Sequence, residues 1–450
     1  MGLSQAILSP PRVIVGSFVG AILVGAVCLT MPWAAANGHS VGFINALFTA
    51  TSAVCVTGLV VVDTGTRFSL AGQLVILTLI QLGGLGIMTF STFFLSLGRR
   101  RVSLREKIVI QDALNYYDTE TLFQLLRNIF LFTLVFEAVG ALLLLPSMVQ
   151  AVGWKKAPYY AVFHSISAFC NAGFGLFSDS LSRFRGDSLL NFTVIMLIVL
   201  GGIGFPVLYQ LWRGFWSTGQ EQRDRMGLSF HTKIVLRTTL FLIVSLALLI
   251  LFFERSGILQ GLSWNERFWA VLFQSVTPRT AGFNTIPIAK LREPTLVLLT
   301  LAMFIGASPG GTGGGIKTTT FVVVVSSIWA TIKERNQTVL MKRTIPTKVI
   351  SKAFAIFFLS LCLVVVYTIF LLEIDPRFSI TQVFFEVVSA FGTVGLSTGI
   401  TPLLSPVSKF FLSLLMLAGR VGPLTLVVAL AHSGELPPQI KYPEGKVMVG

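Results

Sequence analysis

Seven stretches of this 450-residue chain are long and apolar enough to cross a lipid bilayer: Val13–Trp33, Leu70–Leu97, Leu122–Leu145, Leu189–Trp212, Ile234–Phe253, Val349–Leu372 and Phe410–Ala431. No other feature of the sequence narrows the possible folds as much. A hydrocarbon core of ~30 Å takes about 20 residues of helix to span. Inside it every backbone N–H and C=O must be paired, so such segments become helices. An eighth stretch, Thr295–Trp329, is too long for one crossing and is interrupted from Gly306 to Lys317 by eight glycine, serine and proline residues. Its flanks are each too short to span, so it reads as one crossing made of two half-helices joined by a glycine loop, a discontinuity that marks ion pathways in transporters.

Eight crossings are therefore expected, and the fold class is an all-α polytopic membrane protein. Only 12% of residues are charged, against about 25% in soluble domains, which excludes a soluble enzyme, a disordered chain and a nucleic-acid binder. The balance is basic, 34 Lys+Arg against 19 Asp+Glu. The basic residues gather in three linkers: Arg99, Arg100, Arg101, Arg105 and Lys107; Arg213, Arg223, Arg225, Lys233 and Arg237; Lys333, Arg335, Lys342, Arg343, Lys348 and Lys352. The positive-inside rule puts these linkers and both termini in the cytoplasm. The opposite connections hold fewer basic residues, among them Lys155, Lys156, Arg183, Arg185, Lys290 and Arg292. Val13–Trp33 reads as a span and not as a cleavable signal, since Arg12 alone makes a meagre basic leader. Cys28, Cys55, Cys170 and Cys362 sit in or beside apolar runs without metal-like spacing and read as small hydrophobes.

Between paired spans lie four half-apolar stretches too short to cross: Phe43–Val54, Tyr160–Phe169, Phe268–Val276 and Val383–Phe391. Three of them end alike. Ser52-Ala53, Ser167-Ala168 and Ser389-Ala390 are each followed, six residues after the serine, by Gly58, Gly173 or Gly395 and then a large apolar residue. The third keeps Gly282-Phe283 but has Ser275 one residue too far upstream. A second glycine cluster follows each turn: Gly83-Gly84-Leu85-Gly86, Gly201-Gly202-Ile203-Gly204, Gly306 through Gly315, and Gly419-Arg420-Val421-Gly422. Two features in register over four copies define four units of span, short helix, glycine turn and span. Their boundaries are 1–108, 109–226, 227–345 and 346–450.

Irregular backbone at membrane depth must be buried in protein or line a watery cavity. Four glycine turns around one axis can aim successive carbonyls inward, because glycine accepts positive φ. Rings of carbonyls that replace a hydration shell are how a monovalent-cation filter is built. The candidate filter residues are Val56, Thr57 and Gly58; Asn171, Ala172 and Gly173; Thr280, Ala281 and Gly282; Thr393, Val394 and Gly395.

At these turns the chain resembles the membrane subunit of the bacterial Ktr potassium-uptake systems, in the Ktr/Trk/HKT superfamily, over essentially its whole length. The matching signatures are Val56-Thr57-Gly58-Leu59, Asn171-Ala172-Gly173-Phe174, Thr280-Ala281-Gly282-Phe283 and Thr393-Val394-Gly395-Leu396. The resemblance implies K+ as permeant ion, with Na+ left open as an activator, and no cofactor in this chain. Where plant members associated with sodium transport carry serine, this chain has Gly58, which favours potassium. It further implies a bacterial cell-membrane location and a homodimer with one pore per subunit. It also implies a cytoplasmic ring of nucleotide-binding RCK subunits as regulator. In the family the glycine loop of the third repeat lies below the filter and gates the pore, a role carried here to Gly310, Gly311, Thr312, Gly313, Gly314, Gly315 and Lys317. A phosphate-cradling reading of that loop is disfavoured, because Ile316 stands where a P-loop needs glycine before its lysine.

Arg420 falls near the centre of Phe410–Ala431, where a charge must face the bundle interior and find partners. The resemblance sets it against the gating loop, bonded to loop carbonyls. Glu137 is expected to pack between helices, His164 and Glu386 to brace the turns, and Asp63 to draw cations to the outer mouth. Arg279, beside the third turn, is expected to bond away from the axis. The competing readings are a Na+- or H+-coupled symporter with alternating access, which predicts inverted repeats and charged coupling residues, and a membrane-embedded enzyme, for which no nucleophile–base set recurs.

Overall fold

The computed structural model describes residues 10–86, 122–216 and 228–430. The described residues form helices joined by loops, with one two-stranded hairpin, β1 (Val339–Leu340) with β2 (Arg343–Thr344). Four long helices set the frame: α1 (Pro10–Thr30), α4 (Leu122–Val152), α8 (Phe230–Glu254) and α12 (Thr347–Ile374). Each precedes a short helix: α2 (Phe43–Val54), α5 (Ala157–Phe169), α9 (Trp264–Val276) and α13 (Ile380–Gly392). After the short helices come α3 (Leu70–Leu85), α6 (Ser188–Gly202) with α7 (Phe205–Trp216), α10 (Glu293–Phe304) with α11 (Thr318–Ile332), and α14 (Pro406–Val421) with α15 (Pro423–Leu430).

Local chemistry fixes where these elements start. Ser69, Asp187 and Ser405 accept from backbone N–H groups of the first turns of α3, α6 and α14, and Ser263 and Ser379 form full capping boxes with Glu266 and Gln382. Each such cap contributes about 1 kcal/mol. The long helices turn large apolar side chains outward, Leu240, Phe241 and Leu248 of α8 being more than 60% exposed. A continuous outer band of that kind needs lipid against it.

Among the described residues, four helices are long and apolar enough to cross a membrane, or up to six if each bent pair counts as one; eight crossings were expected. The expected Leu70–Leu97 is described only through α3, and the remainder lies outside the described residues. Thr295–Trp329 forms two separate helices, α10 and α11, as its glycine interruption implied. Leu189–Trp212 and Phe410–Ala431, read as continuous spans, instead bend by 104° and 101°. The reason is local: Gly204 (φ +95°) and Gly422 (φ +96°) leave helical geometry, and Pro206 and Pro423 follow at once. A glycine at positive φ interrupts the helical ladder, and the prolines, which lack an N–H, suit the first turn of the helix that follows. Pro146 inside α4 shows that proline alone does not end a helix here. The basic residues Arg99, Arg100, Arg101, Arg105, Lys107, Arg223 and Arg225 lie outside the described residues, as does the C-terminal segment after residue 430.

The short helices pack in a closed cycle. α3 lies against α5, α6 against α9, α10 against α13, and α14 returns to α2. At the centre sit Phe48, Phe163, Phe273 and Phe385, one from each short helix and all fully buried.

Candidate functional site: a glycine ring above a glycine loop

Each short helix ends in the same backbone excursion. Val56, Asn171, Thr280 and Thr393 adopt left-handed φ of +55°, +58°, +67° and +49°, and two residues later Gly58, Gly173, Gly282 and Gly395 have φ of +87°, +69°, +77° and +91°. Side-chain-bearing residues adopt the left-handed conformation only at a cost, so the neighbouring structure must hold it. Hydroxyl groups do part of this. Ser52 Oγ accepts from Gly58 N–H at 3.0 Å and Ser389 Oγ from Gly395 N–H at 3.1 Å. Ser167 Oγ donates instead to Phe174 O at 2.8 Å.

The third turn is anchored by Thr277, whose Oγ1 donates to Phe283 O at 2.5 Å; Ser275 Oγ turns back to Leu272 O. The mismatch noted at Ser275 is thereby explained. The central phenylalanine stands ten residues before Gly58, Gly173 and Gly395 but nine before Gly282, and the anchoring hydroxyl stands six before the first three and five before the last. The third turn is one residue shorter, and Thr277 is the counterpart that serine spacing alone misses. The phenylalanine spacing was the available signal.

The four glycines touch in sequence. A Cβ on Gly58 would lie 2.5 Å from Ala172 O and 3.0 Å from Gly173 Cα; on Gly173, 2.9 Å from Gly282 Cα; on Gly282, 2.6 Å from Val394 O and 3.3 Å from Gly395 Cα; on Gly395, 2.1 Å from Thr57 O and 2.9 Å from Gly58 Cα. The ring closes. On one side it floors a cleft of ≈ 520 Å³ lined by residues that follow the glycines, among them Asp63, Arg67, Asn284 and Ser397. Asp63 Oδ1 accepts from Thr66 N–H at 2.8 Å, and Arg67 lines the same cleft.

On the other side lies the loop between α10 and α11. Gly314 N–H donates to Thr393 Oγ1 at 2.8 Å, and a Cβ on Gly313 would fall 1.9 Å from Thr280 Oγ1. The loop is stitched to the neighbouring helix ends: Ser308 N–H to Gly202 O at 3.0 Å, Thr312 N–H to Gly201 O at 3.1 Å, Phe205 N–H to Gly310 O at 3.0 Å and Gly315 N–H to Gly419 O at 3.2 Å. Lys317 Nζ donates to Gly313 O at 2.6 Å. Arg420 donates from one guanidinium nitrogen to Thr312 O and from another to Gly83 O. One side chain thus ties the loop to the ends of α14 and α3.

The four turns form one closed cyclic set. The cation transport protein family TrkH matches residues 16–437. The chain belongs to that family. Its TrkH-family relatives include the Ktr system potassium uptake protein B of Bacillus subtilis, 40% identical over 98% of this chain and 97% of that protein. Another is the potassium/sodium uptake protein NtpJ of Enterococcus hirae, 38% identical over 98% of both. The crystal structure of the potassium transporter TrkH from Vibrio parahaemolyticus superposes with a TM-score of 0.69 over 92% of this chain and 84% of that one, at 21% identity. The family is one of transporters, not enzymes.

The remaining polar residues singled out in this TrkH-family chain fall in three kinds of place. Glu137 is buried and accepts from Gln81 Nε2 at 3.2 Å, joining α4 to α3. His164 Nε2 accepts from Leu176 N–H at 3.3 Å, and Glu386 accepts from Ser397, Thr398 and Thr401, so both hold the segment that follows their turn. Arg279 departs from expectation. It lies between α8 and α10; its backbone N–H donates to Val276 O and its carbonyl accepts from Asn171 Nδ2, but its side-chain Nε and Nη2 are buried without partners among the described residues.

Proposed function

We propose that this chain is the ion-translocating subunit of a potassium uptake system, conducting K+ inward down its electrochemical gradient through the glycine ring. The observation that carries the reading is ring closure: four left-handed turns, each touching the next, offer the carbonyls around Val56–Gly58, Asn171–Gly173, Thr280–Gly282 and Thr393–Gly395 to a dehydrated monovalent cation. The short helices point their C-terminal ends at the ring, and their dipoles favour a cation there. In this reading the four units make eight crossings around one pore, with both termini cytoplasmic. The kinship with a potassium uptake protein B supplies the substrate.

The loop from Gly310 to Lys317 is the gate, and Arg420 is its latch. It stands directly beneath the ring and is held by backbone bonds that a small rotation of α14 or α6 would break. Control comes from a cytoplasmic nucleotide-binding regulatory ring acting on a homodimer; the Ktr system name of one relative supports a partner subunit. The competing reading, a Na+- or H+-coupled symporter, draws on the potassium/sodium name of one relative.

Gly58→Ser tests the filter. The new Cβ would stand 2.5 Å from Ala172 O at a φ of +87°, so the ring must widen. Left-handed strain of about 1–2 kcal/mol on one quarter of the ring corresponds to about a tenfold loss of K+ over Na+ preference. Rubidium and sodium uptake by cells expressing the variant at normal levels reads this directly; unchanged preference would exclude Gly58 from the filter.

A further inference from the structure

Arg279 is left over by the ring, the loop and the cleft. It immediately precedes Thr280 in the third turn and is 5% exposed. Its Nε and Nη2 are buried without partners, and the ion pairs among the described residues are Arg183–Asp179 and Arg377–Asp375. Arg279 lines a cavity of ≈ 150 Å³ walled by Leu242, Leu246 and Leu249 of α8 and Leu298 and Leu301 of α10. Leu249 and Leu301 are 40% and 61% exposed on the outer apolar face, so the cavity's mouth opens where lipid lies. The result is a charged floor, aliphatic walls and a mouth on the bilayer.

Water alone does not neutralise this site. It can accept from the guanidinium and donate to the lone pairs of Ser245 and Ser275, whose own protons go to Leu242 O and Leu272 O, but it brings no counter-charge. A guanidinium at membrane depth without a counter-ion is costly, and a cavity reached through lipid takes its counter-ion from lipid. Its size, about that of a cavity that holds benzene, admits one headgroup and the first carbons of one chain. A glycerophosphate with two chains is too large.

We propose that this cavity binds one long-chain fatty acid from the bilayer, its carboxylate on the Arg279 guanidinium as a charge-assisted pair and its tail leaving between Leu249 and Leu301. Because the guanidinium belongs to the third turn, occupancy links lipid composition to one quarter of the ring. The site stands or falls independently of the ion route.

The test uses the full chain, purified and delipidated in a non-ionic detergent, titrated with radiolabelled oleate. Saturable binding of one oleate per chain is expected. It should be displaced by palmitate but not by oleyl alcohol, which lacks the charge, nor by acetate, which lacks the tail, nor by phosphatidylglycerol. Arg279→Gln should weaken binding about tenfold or more, the loss of one charge-assisted contact. Leu301→Trp, a change at an exposed position that leaves the turn untouched, should block the mouth with the same effect. Equal affinity in folded Arg279→Gln, displacement by oleyl alcohol or by acetate alone, or no saturable binding to the folded wild-type chain would each overturn the proposal. So would oleate binding that falls as the dimer fraction rises, since the face would then belong to a second copy.

Discussion

At the scale of single residues, the ring depends on small hydroxyl contacts as much as on its glycines. Thr277→Val keeps the side chain's volume but leaves Phe283 O without its 2.5 Å donor. A lost bond of this kind costs about 1 kcal/mol, more if the acceptor stays buried and unpaired. Thr277→Val is expected to lower the thermal midpoint in detergent and Thr277→Ser to restore it; equal midpoints for both would remove Thr277 from the turn's support. Much at this scale was legible. The four turn glycines follow from spacing, because only a backbone with positive φ needs glycine at one fixed offset; the left-handed residues two places before them carry no such mark. Thr277 was not legible, since a one-residue shortening of the turn moves the anchoring hydroxyl, and serine was the wrong atom type to track. The empty surroundings of Arg279 were not legible either: a charge in a sequence carries no record of whether a partner waits for it.

Among elements, the decisive contacts are glycine against helix end. A Cβ on Gly83 would meet Val54 O at 2.0 Å, on Gly201 Phe169 O at 1.9 Å and on Gly419 Phe391 O at 1.8 Å. The three later helices therefore press directly on the last residues of the short helices, and no side chain fits between. Gly419→Ala is expected to cost about 1–3 kcal/mol, as overpacking does, read as a lower thermal midpoint. Arg420→Gln acts at the same place without adding bulk. It removes the donors to Thr312 O and Gly83 O, so ion flux in reconstituted vesicles should rise at normal expression; unchanged or reduced flux would argue against the latch. The C-terminal ends of the short helices were readable to within a residue, and Phe43–Val54 matches at both ends. But α5, α9 and α13 start at Ala157, Trp264 and Ile380, three or four residues earlier than expected, because their first turns lack a continuous apolar signal. The bends in the helices that follow were overlooked although Gly204-Phe205-Pro206 and Gly422-Pro423 announce them. Apolar length masks a break when hydropathy is read before glycine and proline.

For the whole molecule, closure is what matters, and it is a tertiary fact. The cyclic packing of α3 on α5, α6 on α9, α10 on α13 and α14 on α2 has no local signature beyond the similar spacing of the four turns. A passive route through that closed ring is electrogenic. A potential of 100 mV is worth about 2.3 kcal/mol per charge, which supports about a fiftyfold accumulation of K+ in vesicles, inside negative. Collapsing the potential with equal K+ on both sides should stop net uptake, while uptake that continues on a sodium gradient alone would favour the coupled reading.

One polypeptide supplies every segment of that closed circle. In an assembly of identical copies any change is written four times at once; here each quadrant can drift on its own. The shortened third quadrant, with threonine in place of serine and beside it an arginine whose Nε and Nη2 find no partner among the described residues, is what such freedom produces: a circuit whose sides need not be chemically equal, and which can be retuned one side at a time.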